Sequence, residues 1–267
     1  MRKSILALSV AAALAAPGLA GADQPAASPV TANVTLASQY IYRGIAQSRG
    51  KPAIQGGFDY TNPNGIYLGT WASSISWISD GLSNGTSAVS APIEIDVYGG
   101  YRGSITKDLG YEVGLLTYNY PGTNVPSGAA SPDTVELHGA LTYAWLTAKY
   151  SVTTGTSLFG WVKPDGGKTS GSGYYELDGS WDMGNGLGLS AHVGHQTVNG
   201  LSDASYTDYN VGVTKAFSIG TLGLLYSDTN AKSCGDATPM YCNTLYGTGN
   251  NYNLGKGALV LSFSKTF

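Results

Sequence analysis

Hydrophobic and polar residues alternate strictly between Ile93 and Arg102. Ile93, Ile95, Val97, Gly99 and Tyr101 fall on one parity, and Glu94, Asp96, Tyr98, Gly100 and Arg102 on the other. Successive side chains of a β-strand point to opposite faces, so this segment predicts a strand that needs water on one side only. The pattern recurs. Val135, Leu137, Gly139, Leu141 and Tyr143 oppose Glu136, His138, Ala140 and Thr142, and Tyr175, Leu177 and Trp181 oppose Glu176, Asp178 and Ser180. Leu187, Leu189, Ala191 and Val193 oppose Ser190, His192 and Gln196. Less pure versions cover residues 33–45, 52–61, 66–77, 110–120, 146–154, 205–217, 219–229 and 256–267, which makes twelve predicted strands.

The connections sort by length. Every second one is tight: Asn62-Pro63-Asn64-Gly65, 104–109, around Trp145, 182–186 and 216–218. The others, at 46–51, 78–92, 121–132, 155–172, 198–204 and 230–255, are mostly long and rich in Ser, Gly, Asn and Pro. A soluble sandwich has no reason to segregate them. An outer-membrane barrel does, because an even strand number places both termini on the periplasmic side with the short turns. Tyr60, Tyr67, Tyr101, Tyr111, Tyr143, Trp145, Trp181, Phe217 and Phe267 sit beside those turns, as an interfacial girdle would, with Tyr42, Trp77 and Tyr226 assigned to the opposite girdle. The expectation is an all-β, twelve-stranded antiparallel transmembrane barrel.

Both termini agree with export. Residues 1–22 carry Arg2 and Lys3, an apolar run from Ile5 to Ala16 and a small-residue site ending at Ala22, the layout of a cleaved signal peptide whose apolar run is too short to span a bilayer. Residues 23–267 then form a single domain. The last segment, KGALVLSFSKTF, is an amphipathic strand that stops on Phe267, which resembles the signal that outer-membrane barrels present to their assembly machinery. Beyond residue 22 no apolar stretch reaches the roughly 18 residues of a helical span, so a membrane role requires a closed barrel. Glycine is 38 of 267 residues, about twice the usual share of roughly 7%. With 19 tyrosines and only 12% charged residues, this suits curved sheets better than helices. The net charge of −3 becomes −5 on loss of Arg2 and Lys3 with the signal, and nothing points to a nucleic-acid partner. Cys234 and Cys242, the only cysteines, have seven residues between them in the longest predicted external loop, and an exported compartment permits their disulfide.

Several motifs resemble those of a bacterial outer-membrane family, the TorF-type porins. They are QYIYRG at Gln39–Gly44, PAIQGGFDY at Pro52–Tyr60, GIYLGTWAS at Gly65–Ser73, EIDVYGGYRG at Glu94–Gly103, GLLTYNYPG at Gly114–Gly122, KYS at Lys149–Ser151 and HVGH at His192–His195. The resemblance spans essentially the whole mature chain. It implies an outer-membrane barrel with no catalytic set and no cofactor. The cysteine-containing loop is peculiar to this chain.

Twelve strands enclose more space than a side-chain-filled eight-stranded barrel and less than a sixteen-stranded aqueous one, so inward side chains decide what passes. On the inward parity stand Arg43, Asp59, Glu94, Asp96, Arg102, Glu112, Glu136, Lys149, Glu176 and Asp178. Seven are acidic and three basic, which predicts a modest preference for cations in a channel for small hydrophilic solutes. The alternative use of the same charges is cross-strand pairing that plugs the barrel. Arg102 and Glu112, flanking one tight turn, are read as such a pair. Glu94 with Asp96 and Glu176 with Asp178 have no basic neighbour in sequence and are read as pore-lining. Two rival functions are a barrel enzyme of lipase or protease type and a structural or adhesive barrel. His138, His192 and His195 are available, but there is no nucleophile elbow or metal-ligand spacing, and His192 and His195, three apart, fall on opposite faces of a strand.

Overall fold

The computed structural model describes residues 28–82, 89–124, 130–244 and 250–267. The expected signal segment 1–22 lies outside the described residues. Twelve strands alternate up and down: β1 (Val30–Ala37), β2 (Ala53–Thr61), β3 (Ile66–Ser74), β4 (Ile93–Ser104), β5 (Leu109–Asn119), β6 (Thr134–Tyr143), β7 (Leu146–Thr153), β8 (Gly173–Gly184), β9 (Leu187–Thr197), β10 (Tyr206–Phe217), β11 (Gly220–Thr229) and β12 (Ala258–Thr266). Each pairs antiparallel with its sequence neighbour, and β12 pairs with both β11 and β1, Leu36 facing Phe263, so the sheet closes with no free edge. Short turns gather at one end of the barrel and long connections at the other.

The parity of the sequence becomes the wall of the barrel. Leu36, Ile54, Phe58, Leu68, Val97, Leu137, Val193, Val211 and Leu259 point outward, Phe58 and Leu259 both 61% exposed. A soluble monomer rarely shows a contiguous apolar patch of more than a few hundred Å², so a belt around the whole circumference requires an apolar surrounding. Tyr60, Tyr101, Tyr143, Trp145, Trp181, Phe217 and Phe267 are outward near the short-turn end, with the Trp145 and Trp181 rings 4.7 Å apart across β7 and β8.

Three expectations fail, for one reason. The first predicted strand, 33–45, ends at Ala37, and the chain leaves the wall to build a small hairpin of Ile41–Tyr42 against Ile45–Ala46, so the connection of 46–51 widens to 38–52. Arg43 and Gly44, at φ 46° and 75°, make its tip. Tyr42 therefore faces Tyr118 inside the barrel rather than the outer surface. Trp77 opens a helix, α1 (Trp77–Leu82), with its ring 5.6 Å from that of Tyr120, and does not continue β3. Tyr67 points inward and is 3% exposed, its hydroxyl donating to Glu112 at 2.9 Å. In each case an aromatic read as membrane-facing finds an interior partner, which local alternation cannot reveal.

These inward-folded loops give the loop end a core. Tyr40, Trp71, Ile75, Ile78, Tyr98, Tyr118 and Tyr120 form one buried cluster, and Ile45, Leu158, Val198, Tyr206, Tyr241 and Leu254 another. Cys234 and Cys242 are joined, with Cα atoms 4.8 Å apart, beside Tyr241 of the second cluster.

Candidate functional site

The site is the barrel lumen and the hairpin that crosses it. The hairpin leaves the wall between β1 and β2 and lies across the barrel, held at its root by amide donation from Ala46 to Leu254 O and from Gln47 to Tyr40 O, both 2.8 Å. Its tip reaches the opposite wall. The Arg43 guanidinium donates to both oxygens of Glu136 on β6 (2.9 and 2.8 Å) and to Gln196 Oε1 on β9 (2.9 Å), and it lies 4.0 Å from the Tyr174 ring centroid on β8. Tyr118 donates to the same Glu136 at 3.1 Å, and the Tyr118 and Tyr42 hydroxyls are hydrogen-bonded. The Arg43 and Glu136 side chains are 6% and 2% exposed. A forked, bidentate pair in so dry a place is far stronger and more directional than a surface ion pair. Gly44 is the tip residue by necessity. A Cβ there would stand 2.6 Å from Asp208 Cβ, on a backbone of positive φ.

Inward side chains are packed at the hairpin level and accessible below it. Ser73, Glu94, Thr134, Glu136, Ser151, Thr153, Tyr174, Gln196 and Asp208 are buried at the loop end, whereas Thr142, Thr147, Ser190, Thr214 and Ser264 toward the short-turn end are not. The polar lumen is thus most crowded at the loop end, where the first connection crosses it.

The sequence-derived charges occupy this interior in four groups. Arg43 and Glu136 form the latch, Arg43 being on the hairpin tip rather than a wall strand. Glu94 and Asp96 lie beside the hairpin root, where Tyr40 donates to Glu94 at 3.2 Å and Asp96 Oδ1 has no hydrogen-bond partner among the described residues. Lys149, Glu176 and Asp178 meet on β7 and β8, with Lys149 Nζ 3.0 Å from Glu176 Oε1. Glu176 therefore does have a basic partner, which sits opposite it in the strand register instead of near it in sequence. Arg102, Glu112 and Asp59 lie toward the short-turn end. There the expected Arg102–Glu112 pair stands in register at 3.9 Å, Glu112 also meets His138 at 3.1 Å, and Tyr98 donates to Asp59 at 2.6 Å.

Sequence reasoning missed Tyr174, Asp208 and Gln196. All three have inward parity within strands that were predicted, so parity could have found them. What singles them out, the arrival of Arg43 from across the barrel, is tertiary. Of the histidines, His192 is inward and His195 outward, stacked 5.5 Å from Tyr175. In the long connections, hydrogen bonding by Lys232 holds the Asp203 carboxyl below the usual range.

A family model described as a bacterial protein of unknown function (Gcw_chp) matches residues 20–267. No curated protein matches the chain in sequence. Among solved structures the barrel is similar to a KdgM porin in complex with disordered oligogalacturonate, at TM-score 0.50 and 6% identity over 89% of this chain and 98% of that one. A NanC porin gives 0.49 at 8% identity, covering 89% and 98%, and OprD of Pseudomonas aeruginosa 0.39 at 12%, covering 90% and 67%. The first likeness concerns the barrel fold, and at that identity no residue role transfers.

Proposed function

The chain belongs to the Gcw_chp family of bacterial proteins of unknown function, and from that premise we propose that it is an outer-membrane channel for passive diffusion of small hydrophilic solutes. The Arg43-tipped hairpin is its constriction. The observation that carries this reading is the combination of a closed barrel, apolar outside and polar inside, with a hairpin latched across the lumen by one buried ion pair. In this reading the signal is cut after Ala22, Phe267 presents the last strand to the assembly machinery, lipid surrounds the apolar belt, and the short turns face the periplasm. The finer parts of the proposal are membership of the TorF-type porins and a modest cation preference from the acidic excess of the lumen. Catalysis is not part of it. His138 and His192 are bonded to carboxylates and tyrosines rather than to a serine, which leaves them unsuited to activating a nucleophile.

Planar-bilayer recording tests the reading. The purified barrel should give small unitary conductances, and replacing residues 41–46 by two glycines should enlarge them severalfold. Reversal potentials in a salt gradient should shift toward the cation. Lipase and protease assays should stay blank. Absence of conductance in both proteins would overturn the channel and favour a structural or adhesive barrel.

A further inference from the structure

On the lumen wall below the hairpin, β8 and β9 pair so that Asp178 faces His192, with Glu176 two residues along the same inward face. One ligand atom from each of Glu176, Asp178 and His192 lies within 4.8 Å of the other two. His192 Nδ1 is 2.7 Å from Asp178 Oδ1 and 3.9 Å from Glu176 Oε2. In a tetrahedral site with bonds near 2.1 Å, ligand atoms stand about 3.4 Å apart, and the two observed separations bracket that value.

We propose that Glu176, Asp178 and His192 form a binding site for one divalent transition-metal ion, zinc being the representative case. Two independent features support it. The outer contacts are those that metal ligands need. His192 Nε2 meets Asp208 Oδ2 at 3.1 Å and the Tyr174 hydroxyl at 2.9 Å, which fixes the ring with Nδ1 turned toward Asp178 and Glu176; the 2.7 Å contact of Nδ1 with Asp178 is itself a hydrogen bond, so a bound ion takes the place of the Nδ1 proton. The second oxygen of Glu176 is held by Lys149 at 3.0 Å, so Oε2 is the one turned toward the site. The second feature is charge. Glu176, Asp178 and Asp208 carry three negative charges against the single positive charge of Lys149, and Arg43 is taken up by Glu136. With both ring nitrogens donating to carboxylates the cluster carries one negative charge in excess, and exchange of the Nδ1 proton for a divalent ion balances it. The imidazole together with two carboxylates favours zinc-like ions over calcium or magnesium, which prefer all-oxygen shells. Asp178 is 28% exposed, so an ion in the lumen has a path to the site.

The test uses the full barrel, untagged and folded in detergent, with heat-shifted migration in SDS gels as the folding control. Zinc titrated against a chromophoric chelator should load one ion per barrel. His192→Gln and Asp178→Asn should each weaken binding at least tenfold, and Asp208→Asn, which removes only the outer contact, by about 10–100-fold. His138→Gln, which alters the other histidine–carboxylate contact of the lumen, should change nothing. If a variant fails to fold, Cu²⁺ EPR of the wild type decides, with one nitrogen donor expected. A folded wild type without stoichiometric zinc, undiminished binding in the His192 and Asp178 variants, displacement by equimolar calcium, or copper without a nitrogen donor would each overturn the site. Metal titration reads the site whether or not the barrel conducts, so its failure is distinct from failure of the channel.

Discussion

Arg43 and Gly44 show how much rests on two residues. Arg43→Ala leaves Glu136 buried and uncompensated, and removal of one partner of such a pair costs about 3–5 kcal/mol. The loss should fall on the hairpin, not the barrel. Hydrogen exchange at the Ala46 and Gln47 amides should therefore accelerate while wall amides hold, and unitary conductance should rise. Arg43→Lys keeps the charge but not the fork, so it should show an intermediate effect. Gly44→Ala must adopt positive φ and push Asp208 aside, at roughly 1–3 kcal/mol. The same exchange experiment should place it between wild type and Arg43→Ala.

Among elements, the wall strands and the loop-end segments answer to different forces. The disulfide closes a loop of sequence separation 8, and in the chain-entropy account a closure of this size is worth roughly 2–3 kcal/mol. Because the strands close on themselves without it, reduction should leave circular dichroism and heat-shifted migration intact while loosening residues near Tyr241. Global unfolding on reduction would contradict this. The Lys232–Asp203 contact ties the same loop to the turn at Ser202–Ala204. The folded Asp203 pKa is depressed, so this contact contributes above the ordinary aspartate range of about 3.9 and is lost as pH falls below it. Topology has its own test. An epitope inserted at Gly166, an exposed glycine of the β7–β8 connection with open space around it, should be reached by antibody on intact cells, and one at Asn64 should not. Reversed labelling would invert the proposed orientation.

At the scale of the whole molecule, closure depends on β12 reaching β1, where Phe267 N donates to Ala32 O at 2.8 Å. Deleting Phe267 should lower the amount of folded, SDS-resistant barrel recovered from membranes more than Ser264→Ala does. Equal recovery would make the terminal aromatic incidental. The sequence by itself determined the barrel: a period-two pattern repeated twelve times with alternating short and long connections states which face of each strand points out of the barrel, because strand geometry ties every second residue to one side. It also placed nine of the ten candidate charges on inward-facing wall positions, since parity is local information. Tertiary structure alone decided that Arg43 leaves the wall, that Tyr42, Tyr67 and Trp77 turn inward, and that Glu176 finds Lys149 while His192 finds Asp178 and Asp208. These contacts join strands whose register is set by closure, and they join one wall to the opposite wall through a hairpin whose direction depends on the cavity it fills. No pattern of neighbours along the chain encodes a distance across the lumen.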